Sequence, residues 1–229
     1  MQIYALSVHA PVVTDEPDDL AAGVRGRSAF RSVVEILAED GGLGSDVHVL
    51  WGMSKDWAAS GLRVGLLYTQ NAELLTALSN VNYFTSVSND TQDSLAGVLE
   101  DASWCDAYLD GCRAHLSAAA AAVQEEVAAA AAVGVRIVLA PQAGMFAFLD
   151  LRALLRPAPG EAAGEWAAEE RLTADLLAHA RLLFTPGSAC HAEEPGFYRC
   201  CFAWMPTPAV REGFRRLRKF AEQRQAGEV

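Results

Sequence analysis

Apolar positions along the chain come in two patterns, short solid runs and spaced stripes. Residues 1–9 open on no cap and no polar lead-in, and read as the end of a strand running into a loop. Phe30, Val33, Val34 and Leu37 share one helical face within residues 29–38, and the glycine-rich stretch 41–44 stops that helix. Residues 47–51 and 63–68 are apolar runs of strand length. Residues 71–79 and 89–99 read as helices, the second from a Ser-Asn-Asp-Thr start suited to an N-cap. One long alanine-rich helix is expected over 104–133, with Cys105, Leu109, Cys112 and Leu116 on a stripe and Gly134 at its end. Strands are predicted at 135–139, 145–151, 182–184 and 197–203, and helices at 165–179 and 206–223.

This order divides the chain near Trp104. Residues 1–103 have the character of a piece of parallel α/β sheet, and residues 104–229 that of a smaller α+β unit entered through the long helix. Residues 10–28 are acidic and rich in turn formers, an exposed loop; 152–164 is a second loop of Arg, Pro, Gly and Ala.

Composition narrows the function. The 229 residues are 52% hydrophobic and 21% charged, which is globular. Eighteen basic against 29 acidic residues give a net charge of −11, which argues against a nucleic-acid binder. Mean hydropathy is +0.12, raised largely by alanine, and the most apolar stretch is broken by Gln124, Glu125 and Glu126, so no membrane span is expected. The opening residues lack a basic leader and a cleavage site, so a cytoplasmic protein is expected. The five cysteines are odd in number and form no CxxC, which favours a reducing compartment; Cys190, His191, Cys200 and Cys201 match no zinc spacing, so no metal is expected.

The basic residues include only two lysines, Lys55 and Lys219. Lysine can lose its proton and act as a nucleophile, whereas arginine stays protonated. Lys55 sits in Gly52-Met53-Ser54-Lys55-Asp56, and eight residues later Arg63 sits in Gly61-Leu62-Arg63-Val64-Gly65. A strand, a lysine turn, a glycine-containing loop and an arginine can wrap a small anion. A phosphate for the arginine and an aldehyde for the lysine together describe pyridoxal 5′-phosphate; an ordinary solvated turn is the alternative. Lys219 belongs to a basic run, Arg215, Arg216, Arg218 and Lys219, which reads as a solvated face complementing the end of its helix. Arg199 lies inside the apolar run 197–203, where its charge must find a partner or water; a bound carboxylate would be one such partner, and a salt bridge to an acid of the chain is the alternative.

The stretch HVLWGMSKDWAASGLRVGLLYTQN resembles the lysine region of class I/II aminotransferases, and within them the branch of 1-aminocyclopropane-1-carboxylate synthase. IYALSVH resembles that family's Asp-Glu-Ile-Tyr-Ala-Leu-Ser motif, and TPGSACHAEEPGFYRCCFA its Pro-Gly-Ser and Glu-Pro-Gly-x-Phe-Arg-x-Cys-Phe-Ala motifs. The resemblance implies the Schiff-base role and the Cα general-base role for Lys55, cofactor phosphate binding for Ser54 and Arg63, a hydrogen bond to the cofactor's phenolic oxygen for Tyr4, and the substrate carboxylate for Arg199. It also implies an α-amino-acid substrate, transaminated or converted by the synthase-like lyase route, and a homodimer. Gly52 replaces the first family serine, while Met1 and Gln2 stand at the family's aspartate and glutamate.

The chain therefore resembles the C-terminal half of such an enzyme: the end of the large domain, a mixed sheet with helices, over 1–103, then the small α+β domain over 104–229. A truncated remnant with weak or no cofactor binding is the alternative expectation. A purely structural module leaves the spacing of Lys55, Arg63 and Arg199 without a purpose.

Overall fold

A computed structural model describes residues 1–9, 31–39, 41–156, 158 and 166–229. The loop expected at 10–28 and most of the one expected at 152–164 lie outside them. The described residues form two compact units. The first holds Met1–Val8 and the residues up to Arg113; the second holds His9 and Ala114–Val229.

In the first unit, helix α1 (Val33–Ala38) starts on Ser32, whose hydroxyl accepts from the Val34 amide. Strand β1 (His48–Gly52) leads into a single helical turn, α2 (Met53–Asp56), and strand β2 (Gly65–Thr69) returns beside β1. The two strands pair antiparallel, from His48 with Thr69 to Gly52 with Gly65. The parallel character expected here is therefore absent from this pair. Only 12 residues join the strands, and they contain no crossover helix, so the chain doubles back. Helix α3 (Ala72–Val81) is capped by the Asn71 side chain on the Leu74 amide, and α4 (Asn89–Leu99) by Ser88 on the Thr91 amide. Neither helix has a buried residue. The buried apolar side chains of this unit are Leu43, Val49 and Met53.

Residues 1–9 form no strand. They fold into a turn, with Ala5 N donating to Gln2 O at 3.1 Å and Ser7 N to Tyr4 O at 3.1 Å.

Helix α5 (Ala102–Ala129) carries the division between units, at Arg113 and Ala114. A 3₁₀ turn follows it, and Gly134 then adopts φ 83°, where a Cβ would lie 2.5 Å from that of Ala153. Only glycine suits that exit. The second unit has a four-stranded antiparallel sheet in the order β3 (Arg136–Leu139), β4 (Phe146–Asp150), β6 (Phe197–Cys201), β5 (Thr185–Pro186). Ala147, Leu149, Tyr198 and Cys200 face a core shared with α5, α6 (Trp166–Asp175) and α7 (Thr207–Ala226). Each fully buried Leu or Phe in that core contributes on the order of 1.5–3 kcal/mol.

Residues 182–184 are not the strand their apolar run predicts. Arg181 turns left-handed, Leu182 N bonds back to Leu176 O, and the Phe184 ring lies 6.4 Å from that of Phe214 on α7. The apolar side chains of this segment pack on a helix, and ladder pairing begins only at Thr185. Among the described residues no helix is long and apolar enough to cross a membrane.

Candidate active site

Strand β1 delivers Lys55 to a tight loop of the first unit. Gly52 is extended at φ −160°, and α2 begins immediately after it. Met53 N donates to Val64 O at 3.2 Å, which closes the neck of the loop, and Ala59 N donates to Met53 O at 3.1 Å inside it. Ala58 and Arg63 adopt φ 52° and 54°, uncommon for residues with a Cβ and costly by about 1 kcal/mol each. Two strained residues in one short loop mark a shape that the surrounding bonds impose.

Lys55 is half-buried and has no carboxylate partner among the described residues. Its Nζ lies 6.0 Å from the centre of the Tyr4 ring, at the outer reach of a cation–π contact. The structure thus brings together Tyr4 and Lys55, 51 positions apart in sequence. Asp56 holds them there. It is buried, and its carboxylate accepts from Leu6 N at 3.1 Å, from Trp51 Nε1 at 2.9 Å and from the Ser7 hydroxyl. Three donors compensate its loss of water, and two of them lie on the segment carrying Tyr4. Gln2 N adds a bond to Leu50 O at 2.9 Å, and Arg113 Nε one to Leu6 O at 3.3 Å. Sequence reasoning missed Asp56. The signal was an acid directly after the lysine in a run otherwise free of charge.

Trp57, next along, stacks on Tyr108 at 5.3 Å, and Tyr108 on Trp104 at 5.2 Å. Burial pushes the Tyr108 hydroxyl up to about 12, with Cys112 adding to it. This stack fixes the far side of the lysine turn to the start of α5.

Ser54 is half-buried and makes no hydrogen bond among the described residues. Arg63 is exposed, and its guanidinium donates only to its own loop, Nη1 to Ser60 O at 2.9 Å. Both side chains are therefore free to take a ligand.

Arg199 belongs to the second unit. It lies on the exposed face of β6, opposite Phe148 on one side and Thr185 on the other. Its guanidinium covers the Phe146 ring at 4.7 Å, and its Nη2 reaches Thr185 Oγ1 at 3.5 Å. It has no carboxylate partner among the described residues. The internal ion pair left open by the sequence does not occur among them.

A fold of this kind, with a lysine turn on an antiparallel strand pair and a second unit built on a four-stranded sheet, is that of the aminotransferases. The chain is similar to an aspartate aminotransferase double mutant of Thermus thermophilus, with TM-score 0.69 and 18% identity over 96% of this chain and 47% of that one. It is also similar to LysN, an α-aminoadipate aminotransferase of Thermus thermophilus complexed with N-(5′-phosphopyridoxyl)-L-leucine, with TM-score 0.65 and 22% identity over 88% and 48%. Residues 10–217 match aminotransferase class I and II, and the chain belongs to that family. The family is dependent on pyridoxal phosphate. Among curated relatives, 1-aminocyclopropane-1-carboxylate synthase 4 of Oryza sativa subsp. japonica is 39% identical over 96% of the chain. The chain spans 43% of that relative's length.

Proposed function

We propose that Lys55 is the cofactor-bearing lysine of a pyridoxal-phosphate-dependent transformation of an α-amino acid, by transamination or by the lyase chemistry of the synthases that the chain resembles. The observation that carries this reading is the placement of Lys55 Nζ beside the Tyr4 ring, with both held by Asp56. The residues present fit the cofactor. The Lys55 amine has no carboxylate bound to it, the Tyr4 hydroxyl makes no hydrogen bond among the described residues, and Arg63 exposes its fork.

When bound, pyridoxal phosphate supplies an aldehyde for an amine to add to and a ring that draws electrons from the substrate's α-carbon. With the cofactor bound, the Lys55 amine would be the group that anchors it and would take the α-proton of the substrate. Ser54 Oγ and the Arg63 guanidinium hold the phosphate, and the Tyr4 hydroxyl donates to the phenolic oxygen. Arg199 offers its planar fork to the substrate α-carboxylate, with Phe146 beneath it limiting its rotamers.

A second reading is favoured by Gly52, which is buried and brings no hydroxyl to the phosphate: the chain keeps the site but holds the cofactor weakly. One experiment decides between them. The chain is titrated with pyridoxal phosphate, followed by visible absorbance, reduced with borohydride and mapped by peptide. Saturable uptake with an adduct at Lys55, lost in Lys55→Arg, supports the first reading. An unmodified Lys55 at saturating cofactor overturns it in favour of the second.

A further inference from the structure

The end of α6 opens a cavity surrounded by cations. The helix widens into a π-helical turn, Leu176–Ala180, and stops at Arg181, which adopts φ 55°. Such widened turns often sit at functional sites, and a left-handed arginine is held against its own preference. The turn places His179 and Arg181 on one wall. Helix α7 supplies the other from Arg216, Lys219 and Gln223, at positions i, i+3 and i+7 of one face. The cavity is half open to solvent, its volume is ≈ 640 Å³, and among the described residues no Asp or Glu side chain lines it. Val229, the last residue of the sequence, lines one side with its carboxylate, whose charge Arg156 offsets by donating Nη1 to Val229 O at 2.7 Å.

The other cations of α7 show that this is more than a basic helix end. Arg211 has Glu125 at 2.7 Å, Arg215 has Glu126 at 3.9 Å, Arg216 has Glu212 at 3.1 Å, Arg218 has Glu222 at 3.8 Å and Arg224 has Asp175 at 2.7 Å. Lys219 is the one cation of α7 without a carboxylate among the described residues, and Arg181, facing it across the cavity, also lacks one. Among the described residues two cations without a carboxylate, Arg181 and Lys219, line one concavity together with Arg216, in a chain that carries −11 overall. Like charges converging on a concave site leave an electrostatic vacancy that an anion fills.

We infer that this cavity binds a small molecule bearing two or more phosphate groups. The volume lies within the ~300–1,000 Å³ typical of small-molecule sites, large for a lone phosphate. Two cations without a carboxylate, Arg181 and Lys219, beside an Arg216 that Glu212 already engages, call for a ligand of more than one negative charge. Guanidinium forks and an ammonium suit phosphate oxygens. The site belongs to the second unit and is independent of the function proposed for Lys55. It also gives the second lysine a role: pyridoxal phosphate itself, a phosphorylated aldehyde, should be drawn to Lys219 as well as to Lys55.

The test is calorimetric titration of the full chain with pyrophosphate at low salt. Saturable 1:1 binding is expected, weakened roughly three- to tenfold by each of Lys219→Gln and Arg181→Gln, since partly exposed charge contacts count for less than buried ones. Arg218→Gln removes an equal charge from the same helix outside the cavity and should leave the affinity unchanged. Absence of saturable binding overturns the inference, as does equal loss from Arg218→Gln. Citrate is the polycarboxylate comparison: weaker binding than pyrophosphate supports the phosphate class, and equal or tighter binding overturns it.

Discussion

The Ser7 hydroxyl donates to the Asp56 carboxylate across 49 positions of sequence, and Leu6 N donates to the same group. Asp56 adjoins Lys55, and the segment it holds carries Tyr4. One buried acid therefore sets the distance between the candidate nucleophile and its aromatic neighbour. Asp56→Ala should cost the first unit about 2–4 kcal/mol, because three donors lose a charged acceptor at once. Hydrogen exchange at the Leu6 amide should accelerate in step, and modification of Lys55 by pyridoxal phosphate should fall. Asp56→Asn keeps one acceptor oxygen and should lie between. Unchanged Leu6 protection in Asp56→Ala would show that other bonds hold the segment.

Gly52 is the place to strengthen phosphate binding. Its φ of −160° is ordinary extended backbone that any residue adopts. An added Cβ would meet Val64 O at 3.3 Å, a tight contact that a shift of a few tenths of an ångström relieves. Gly52→Ser supplies the hydroxyl that the resemblance implies at this position. A hydrogen bond to a charged group is worth about 1.5 kcal/mol at the low end, so pyridoxal phosphate should bind roughly tenfold tighter, read by absorbance titration. An unchanged affinity would mean that the phosphate does not approach Gly52.

Much of this architecture is legible in local pattern. Helix α4 occupies Asn89–Leu99, the residues read from its polar start, because Ser88 caps it within its own sequence. Gly134 ends the α5 segment for an equally local reason, its positive φ. What the sequence hides is set by distant contacts. Residues 1–9 look like a strand by composition, but Asp56 and Arg113 bend them into a turn. Leu182 and Phe184 look like a strand, but α7 takes their side chains. The basic run at 215–219 reads as one solvated face, and Arg215, Arg216 and Lys219 are exposed; that Arg181 of another element lines a cavity with two of them cannot be read from local pattern. The motif residues Lys55 and Tyr4 could be named from pattern; the acid between their segments could not, because its partners lie 49 and 50 positions away.

Glu169 should matter to the second unit as Asp56 does to the first. It is buried, and its two oxygens accept from Ser188 N at 3.0 Å and Gly196 N at 2.7 Å, tying α6 to the loop before β6. Glu169→Ala leaves two amides without an acceptor and should destabilise this unit by about 2–5 kcal/mol. Glu169→Gln retains one acceptor and should cost less. Urea titration, with exchange measured at the Ser188 and Gly196 amides, reads both. If Glu169→Ala melts like the parent chain, water replaces the carboxylate without penalty.

His9 predicts a pH dependence. It is buried, edge-on to the Phe202 ring at 6.1 Å, and neither ring nitrogen makes a well-formed hydrogen bond. Burial lowers its pKa from 6.5, against a smaller opposing pull from the Gly144 backbone. The unfolded chain therefore takes up a proton near pH 6.5 that the folded chain refuses. Stability is full above that pH and declines as pH falls from 6.5 toward the lowered folded value. His9→Phe removes the titration and should flatten the melting temperature between about pH 7.5 and 5.5. A parent chain as stable at the acid end of that range as at the other would mean that His9 accepts its proton without cost.

The first unit leaves large apolar side chains open to water. Leu50 and Leu66 are each 48% exposed on the paired strands, and Phe84 is 91% exposed beyond α3. Among the described residues β1 pairs only with β2; Gln2 N covers Leu50 O on the outer edge of β1, while the outer edge of β2 offers free backbone groups. Apolar area is worth about 25 cal/mol per Å² once removed from water, and open edges template further pairing. The chain on its own should therefore self-associate, with a mass above 24.5 kDa that rises with concentration in light scattering after size exclusion. Placing a charge on the open strand, as in Leu66→Lys, should move the population toward monomer, since a lysine at an edge must be buried for another chain to add there. The second unit should be indifferent to that change, so unaltered exchange at its Gly196 amide would confirm that association, and not unfolding, is what Leu66→Lys affects. A parent chain that stays monomeric at every concentration, with one cooperative melt, would show that these surfaces tolerate water, and the argument from exposure would fail.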